Sequence, residues 1–305
     1  FMGRESKPMD RFLFGRGAET VGTITKPFGL AAADETLLVC DTRQNVVHVF
    51  DFKTGKAWRM GDAGRGRLVK PLAVATDERS NRYVADAGRG EVVVFSSAGD
   101  PIRALRPSGE GDFKPVAVAY RAGRLYVVNA AAHRVEVLDS ESGALIQEIG
   151  EKGSGPGQML FPNGLALDAE GRILVTDLLN CRVQVFAADG GLVRSFGRPG
   201  DRAGEFSRPK HLAVGFDGTV FVVDAAFQRV QVFDSQGRVL MLFGGPGGEP
   251  GGLTLPAGVC VDRTLLPYFA DRMPVGFSAE YLVFVSDQFG PHRINVYAFG
   301  NMAKP

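Results

Sequence analysis

Cysteine, long apolar runs and net charge are scarce in this chain, and each scarcity excludes a class of function. The three cysteines, Cys40, Cys181 and Cys260, lie far apart without a CxxC pair. That spacing excludes a disulfide framework and a cysteine-rich zinc site. No apolar stretch approaches the roughly 20 residues that a membrane helix needs. The net charge is only +1, so the chain as a whole is not a polyanion-binding protein.

Helical periodicity is also missing, whereas glycine is abundant, with 40 residues. Because these glycines show no Gly-X-Y period, they indicate many tight turns. Short apolar runs with period-two alternation and many β-branched or aromatic residues occur throughout the chain. Such runs predict strands, and the fold class is therefore predicted to be all-β.

A repeat of 44 to 47 residues organises these strands. Each unit opens with a proline before an apolar run, at Pro27, Pro71, Pro115, Pro162, Pro209 and Pro256. Each of the first five units holds segments for four antiparallel strands, which is typical of a β-propeller. We therefore predict a single domain over residues 1–305, a six-bladed β-propeller of four-stranded antiparallel blades. The predicted blades cover residues 27–61, 71–105, 115–150, 162–197, 209–244 and 256–300.

The sixth unit lacks a fourth-strand segment before the chain ends at Pro305. The N-terminal segment RFLFG, residues 11–15, has the pattern of a fourth strand. We predict that it forms the outer strand of blade six and closes the ring, because an unpaired seam would leave an exposed sheet edge.

An acidic or amide residue recurs at the end of each predicted second strand: Asp41, Asp86, Asn129, Asp177, Asp224 and Asp287. In blades three to six an arginine follows five or six residues later: Arg134, Arg182, Arg229 and Arg293. A carboxylate that faces a guanidinium across a strand corner can accept two parallel hydrogen bonds. Because the pattern recurs around the ring, we interpret these residues as structural staples and not as a functional site.

These features resemble the NHL-repeat proteins, which are six-bladed propellers. The similarity is greatest in residues 162–186, with PNGLALD, VTD and NCRVQVF, and in residues 209–233, and it is looser in blades one and two. The end of blade six, EYLVFVSDQFGPHRINVYAFG, is similar to bacterial NHL propellers that are exported or lipid-anchored and encoded beside multihaem c-type cytochromes. The resemblance implies a periplasmic, outer-membrane-associated or extracellular location, with a cytoplasmic one left open. It also implies a multihaem c-type cytochrome as partner and allows a lipid anchor upstream of Phe1.

Some NHL propellers are enzymes, and the resemblance to their zinc-dependent lyases implies histidines directly after the opening prolines. The residues at those places are Phe28, Leu72, Val116, Asn163, Lys210 and Ala257. Only His211, one position further, comes near, and a single imidazole cannot hold zinc. No cofactor is therefore expected. Asn163, Lys210 and His211 are kept as candidate ligand-binding residues at the mouth of the channel.

A cation site is the weaker alternative to a metal-free channel. Asp77, Asp168 and Asp262 lie six residues after their prolines in alternate blades and could ring a channel mouth with the carboxylates that calcium prefers. We favour the interpretation that they cap the corners between first and second strands.

Blade six carries an insertion, residues 263–279, that is richer in apolar side chains than a free loop should be. Those considered for partner binding are Leu265, Leu266, Tyr268, Phe269, Met273 and Phe277. The insertion either packs on its own propeller, which we favour, or docks on another protein.

A basic patch over blades one and two, formed by Arg43, Arg65, Arg67, Lys70 and Arg89, offers a route to RNA binding. Acidic residues on neighbouring loops interrupt it, whereas backbone binding needs a sustained positive surface with stacking aromatics. Nucleic acid is therefore not the expected partner.

The favoured function is a non-catalytic protein-binding scaffold or accessory subunit of an exported complex. A channel-mouth hydrolase or lyase is the alternative, and an RNA-binding propeller comes third.

Overall fold

Six β-sheets follow one another around a central axis in the computed structural model, which describes residues 23–107, 111–247 and 251–302. This confirms the predicted all-β, six-bladed propeller. Blade one consists of β1 (Pro27–Ala33), β2 (Thr36–Asp41), β3 (Val46–Asp51) and β4 (Lys56–Met60). Blade two consists of β5 (Pro71–Thr76), β6 (Arg82–Asp86), β7 (Glu91–Phe95) and β8 (Pro101–Leu105). Blade three consists of β9 (Pro115–Arg121), β10 (Arg124–Asn129), β11 (Arg134–Asp139) and β12 (Leu145–Ile149).

A short parallel pair, β13 (Glu151–Lys152) and β14 (Gln158–Met159), shapes the connection to blade four. Blade four consists of β15 (Pro162–Leu167), β16 (Ile173–Asp177), β17 (Arg182–Phe186) and β18 (Leu192–Phe196). Blade five consists of β19 (Pro209–Val214), β20 (Val220–Asp224), β21 (Arg229–Phe233) and β22 (Val239–Gly244). Blade six consists of β23 (Pro256–Asp262), β24 (Phe277–Asp287) and β25 (Ile294–Met302).

The first strand of each blade lies innermost, and the inner strands contact one another around the ring until β23 meets β1. Hydrogen bonds join the two blades at this meeting. Ser286 Oγ donates to the carbonyl oxygen of Phe28 at 2.6 Å and accepts from the Gly258 N–H at 2.7 Å. The described part of blade six has three strands. The predicted outer strand at residues 11–15 lies outside the described residues, so ring closure by that segment stays a prediction.

Neighbouring blades approach so closely at the inner strands that a side chain would not fit at some positions. A Cβ atom on Gly164 would lie 2.5 Å from the carbonyl oxygen of Lys210 in the next blade. Glycine is therefore required there by the contact between backbones.

Apolar side chains fill the joints between blades, since each sheet presents one face to each neighbour. Leu38 and Val49 of blade one, for example, pack with Val84 and Phe95 of blade two. A buried phenylalanine near the end of the third strand recurs in four blades: Phe50, Phe95, Phe186 and Phe233. Burying one such side chain stabilises the fold by about 2–3 kcal/mol. The core therefore lies between the sheets and around the channel.

The recurrent acid or amide at the end of each second strand ties down the chain that enters the same blade. Asp86 accepts hydrogen bonds from the N–H groups of Val69 and Lys70 at 2.7 and 2.8 Å. The other five make the equivalent bond to one or both residues before their opening proline: Asp41, Asn129, Asp177, Asp224 and Asp287. These side chains hold the entrance of the inner strand in all six blades.

The expected two-bond pairing of these acids with arginine is wrong. Arg182 donates one bond, from Nε to Asp177 at 2.9 Å, and its Nη2 donates to the carbonyls of Gly155 and Gln158. In the other three blades the arginine has another partner: Arg134 binds Glu136, Arg229 binds the carbonyls of Asp201 and Arg202, and Arg293 binds the carbonyl of Gln288. The arginines mainly secure nearby loops, because the acids already bind backbone N–H groups.

The insertion of blade six packs on its own propeller. Its centre, Leu266–Arg272, forms a 3-10 helix that the sequence pattern did not indicate. Leu265 is fully buried and Phe269 is 8% exposed. The ring of Phe269 lies 5.9 Å from that of Phe52 in blade one and 6.0 Å from that of Phe284 in blade six, centroid to centroid. The insertion thus fills the joint between the last blade and the first.

The remaining insertion residues follow the same arrangement. Leu266 and Met273 are partly buried against this cluster, and the Tyr268 hydroxyl donates to Glu35 at 2.7 Å. Phe277 is the first residue of β24, so it belongs to a lengthened strand. The docking hypothesis for Leu265 and Phe269 is corrected accordingly, because side chains buried in this joint cannot contact a partner. The helical turns in the described ranges lack the length and apolar character that crossing a membrane requires.

Candidate functional site

The inner strands all begin on the same face of the ring, which also carries the inter-blade connections and the corners between second and third strands. We call it the long-loop face. The residues that follow the opening prolines lie at its centre. Leu72 and Val116 are buried in one cluster with Phe28, and Ala257 is fully buried. Four blades thus give the channel mouth an apolar wall, while blades four and five contribute Asn163 and Lys210.

Side chains from blades one and five meet at this mouth. Lys210 Nζ lies 5.5 Å from the centroid of the Phe28 ring. The His211 imidazole packs edge-on against the same ring, with centroids 5.2 Å apart. Blade six lies between these two blades in the ring, so the contacts reach across the mouth of the channel. We call Phe28, Asn163, Lys210 and His211 the mouth site.

Local structure fixes the backbone of the mouth site. Thr176 Oγ1 of blade four donates to the carbonyl oxygen of Lys210 at 2.5 Å, as Ser286 does to Phe28. His211 occupies a place that is glycine or alanine in the other blades: Gly29, Ala73, Ala117, Gly164 and Gly258. Blade five is therefore the one that places a large side chain at this position of the inner strand.

Burial changes the protonation of both basic groups. Burial first, and then the positive charges of Arg208 and Lys26, lower the pKa of Lys210 to about 8, although Asp287 acts in the opposite direction. Burial and the charge of Lys210 lower the pKa of His211 to about 4. The imidazole is thus neutral at pH 7, and its Nε2 is buried without a hydrogen-bond partner among the described residues.

The three aspartates considered for a cation lie at the opposite end of the inner strands, each bonded within its own corner. Asp77 accepts from the N–H groups of Arg79 and Asn81, and Asp168 accepts from the Arg172 N–H. Asp262 accepts from Leu265 N–H at 2.7 Å. The structure does not bring these carboxylates to the mouth site. Nowhere in the described ranges do three or more histidine, cysteine, aspartate or glutamate side chains form a group that could hold a metal ion.

Apolar side chains are exposed on the long-loop face. The most exposed fractions are 60% for Phe289, 59% for Leu179, 52% for Val69 and 48% for Phe161. Phe161 is held by its neighbour, since its N–H donates to His133 Nδ1 at 3.0 Å and the two rings pack edge-on. Ordered aromatic side chains left in solvent are typical of a binding surface.

Basic residues surround this apolar set, because four of the six opening prolines follow a lysine or arginine: Lys26, Lys70, Lys114 and Arg208. Lys26 Nζ lies 5.5 Å from the centroid of the Phe289 ring. Our sequence interpretation missed both this set and the exposed apolar residues. For the basic set the sequence does carry a signal, since the residue before the opening proline is a lysine or arginine in four of the six blades.

The patch considered for RNA is partly used within the protein. Arg89 pairs with Glu91 at 2.6 Å and donates to the carbonyls of Arg65 and Arg67. Its guanidinium therefore holds the connection between blades one and two.

The cysteines are not activated nucleophiles. Burial raises the pKa of Cys40 and Cys260 far above the usual range, and it also raises that of Cys181. Cys181 borders a pocket of about 360 Å³ between blades four and five, with Phe206 and Phe227 among its lining residues. A thiol with a raised pKa is mostly protonated at neutral pH and reacts slowly.

Comparison with known proteins finds a match to the NHL repeat over residues 159–186, which is the blade-four repeat. Among solved structures, a gluconolactonase from Xanthomonas campestris matches with a TM-score of 0.66 and 17% identity, over 92% of this chain and 88% of that one. A streptogramin B lyase matches with a TM-score of 0.62 and 12% identity, over 92% and 84%. The hydrazine synthase of Kuenenia stuttgartiensis matches with a TM-score of 0.60 and 13% identity, over 95% and 99%. At such identities the similarity concerns the fold alone.

Proposed function

We propose that this chain, a β-propeller containing an NHL repeat, is a non-catalytic binding module that docks a protein partner on its long-loop face. The observation that carries the proposal is the set of exposed apolar side chains on that face, Phe289, Leu179, Val69 and Phe161. A rigid ring displays them at little entropic cost, since their backbone is already ordered.

The chemistry of the polar groups supports a binding role over a catalytic one. The recurrent acids already accept hydrogen bonds from backbone N–H groups. Asp287, for example, accepts four. Two histidines of the long-loop face, His133 and His211, are buried, and burial lowers the pKa of each. Nucleophilic catalysis needs a nucleophile and a base within hydrogen-bond reach of each other, and the described residues of the mouth site contain no such pair.

The partner and compartment rest on the sequence resemblance. We infer an exported complex in which this propeller is an accessory subunit, with a multihaem c-type cytochrome as the partner to test first. The basic residues around the apolar set would favour a partner with an acidic surface, because complementary charge speeds association.

Purification of the native complex from its source, with wild-type and variant chains, tests the docking face. Phe289→Ser and Leu179→Ser should each remove the stoichiometric partner while the melting temperature stays unchanged. Val275→Ser is the matched control, since Val275 is fully exposed on the opposite face. Loss of the partner with V275S, or its retention with both face variants, would contradict the proposal.

A second candidate is a hydrolase or lyase that acts at the channel mouth. It is favoured by Lys210, whose pKa burial lowers to about 8 and which is therefore partly deprotonated at neutral pH. Hydrolysis of gluconolactone, chosen because a matched structure is a gluconolactonase, together with metal analysis of the purified protein, tests it. Turnover that disappears in Lys210→Leu, or a stoichiometric metal ion lost together with activity, would replace the scaffold proposal.

A further inference from the structure

The mouth site concentrates positive charge without a carboxylate that is free to neutralise it. Lys210 lies close enough to Arg208 and Lys26 for their charges to lower its pKa. Asp287 is the acid that acts on it in the opposite direction. Both oxygens of Asp287, however, accept backbone N–H groups, at 2.7 Å from Thr254 and 2.8 Å from Leu255. The ammonium group of Lys210 has no ion-pair partner among the described residues.

The neighbouring polar groups are also unsatisfied. His211 is 7% exposed and its Nε2 lacks a hydrogen-bond partner. A buried polar atom left in this way costs about 1–3 kcal/mol, so its retention needs a compensating interaction. Asn163, half-buried on the adjacent blade, adds an amide that is not engaged by the described residues.

We propose that the mouth site binds a small oxyanion, a carboxylate or a phosphate, between Lys210, Asn163 and His211. Lys210 supplies the charge, Asn163 an amide donor and His211 an Nε2–H donor on the floor of the site. The apolar wall of Phe28, Leu72 and Val116 excludes water from one side and strengthens these bonds.

Phe28 controls access to the floor. Its ring is half-buried and lies against both Lys210 and His211. His211 Nε2 is buried, and we expect the Phe28 ring to turn aside when an oxygen atom reaches it, whereas Lys210 and Asn163 are partly accessible without movement. This site is independent of the protein-docking proposal, because it uses none of the exposed apolar side chains.

Binding should depend on pH through the groups that face Lys210, which are Arg208, Lys26, His211 and Asp287. Of the two groups with lowered pKa values, His211 is neutral above pH 6 and the Lys210 ammonium is lost above about pH 8. The affinity for acetate, which is fully ionised above pH 6, should therefore change little from pH 6 to pH 7.5 and fall between pH 8 and pH 10.

Isothermal titration calorimetry of the full chain at pH 7, with acetate, succinate and inorganic phosphate at ionic strength fixed by potassium chloride, tests the site. One equivalent of carboxylate or phosphate should bind, and the tighter of the two classes identifies the ligand chemistry. Lys210→Leu should weaken binding roughly tenfold or more, since a charge-assisted bond is lost. His211→Ala should weaken it severalfold.

Both substitutions copy residues that already occupy the equivalent place in other blades, Leu72 and Ala73, so folding should be preserved. Thermal melts check this. Lys53→Met removes an exposed lysine from the opposite face and should leave binding unchanged. The proposal is overturned if no oxyanion binds to the wild type beyond the chloride background, or if K210L binds as well as the wild type. A partner that still docks in either case would leave the proposed function standing.

Discussion

Phe269 offers the most direct test of how the ring is stabilised. Its side chain is 8% exposed and fills the joint between blades six and one, with Phe52 and Phe284 as ring neighbours. Phe269→Ala removes most of a buried aromatic side chain and leaves a cavity, which costs about 3–5 kcal/mol in buried sites. For a chain of 305 residues this corresponds to a fall of about 5–8 °C in melting temperature.

Fluorescence of Trp58 is a suitable probe, because it is the chain's only tryptophan and lies in β4 of blade one. Urea unfolding followed by Trp58 and by circular dichroism should show the same destabilisation if the joint holds the whole ring. Val275→Ala is the control within the insertion. Val275 is fully exposed, so its truncation should change stability by less than about 0.5 kcal/mol. A Phe269→Ala protein that unfolds like the wild type would refute the idea that the insertion stabilises the ring.

Two further predictions concern the buried polar groups. Asp177→Asn should destabilise the fold by about 3 kcal/mol in urea unfolding, because it leaves Arg182 without its charged partner. Asp86→Asn, which breaks no arginine pair, should cost less; an equal loss would contradict the argument. In the folded protein the pKa of His211 is lowered to about 4. Between pH 6.5 and pH 4 the unfolded chain therefore binds more protons than the folded one, which favours unfolding. As the pH is lowered through that range, the free energy of unfolding should fall more steeply for the wild type than for His211→Ala. Equal slopes for the two proteins would contradict this prediction.

The repeat could be predicted from the sequence because every blade is built from the same local features. Proline opens the inner strand, an acid or amide closes the second strand, and apolar alternation marks both faces that are buried between blades. Those features depend on neighbours within a few tens of residues, so the strand boundaries follow the pattern closely. The two-bond pairing of the acids with arginine does not form, because the acids bind backbone N–H groups that lie 16 or 17 residues earlier for Asp86 and Asp177 and more than 30 residues earlier for Asp287.

The mouth site was only partly predictable. Asn163, Lys210 and His211 stood out because they break the pattern of small or apolar residues at their positions. The lowered pKa of Lys210, however, depends on its burial in the closed ring and then on the charges of Arg208 and of Lys26, which lies almost 200 residues away along the chain. The contact with Phe28 likewise joins blades one and five.

The sequence by itself determined the number of blades, the order of strands and the places where the chain turns, because these follow from local periodicity and turn chemistry. Tertiary structure alone decided which apolar side chains are exposed on the long-loop face, where the insertion packs and which charges meet at the channel. Closure of the ring brings residues of different blades together. Their separation along the chain does not show how close they come in space. The long-loop face and the mouth site are therefore properties of the closed propeller and not of any one repeat.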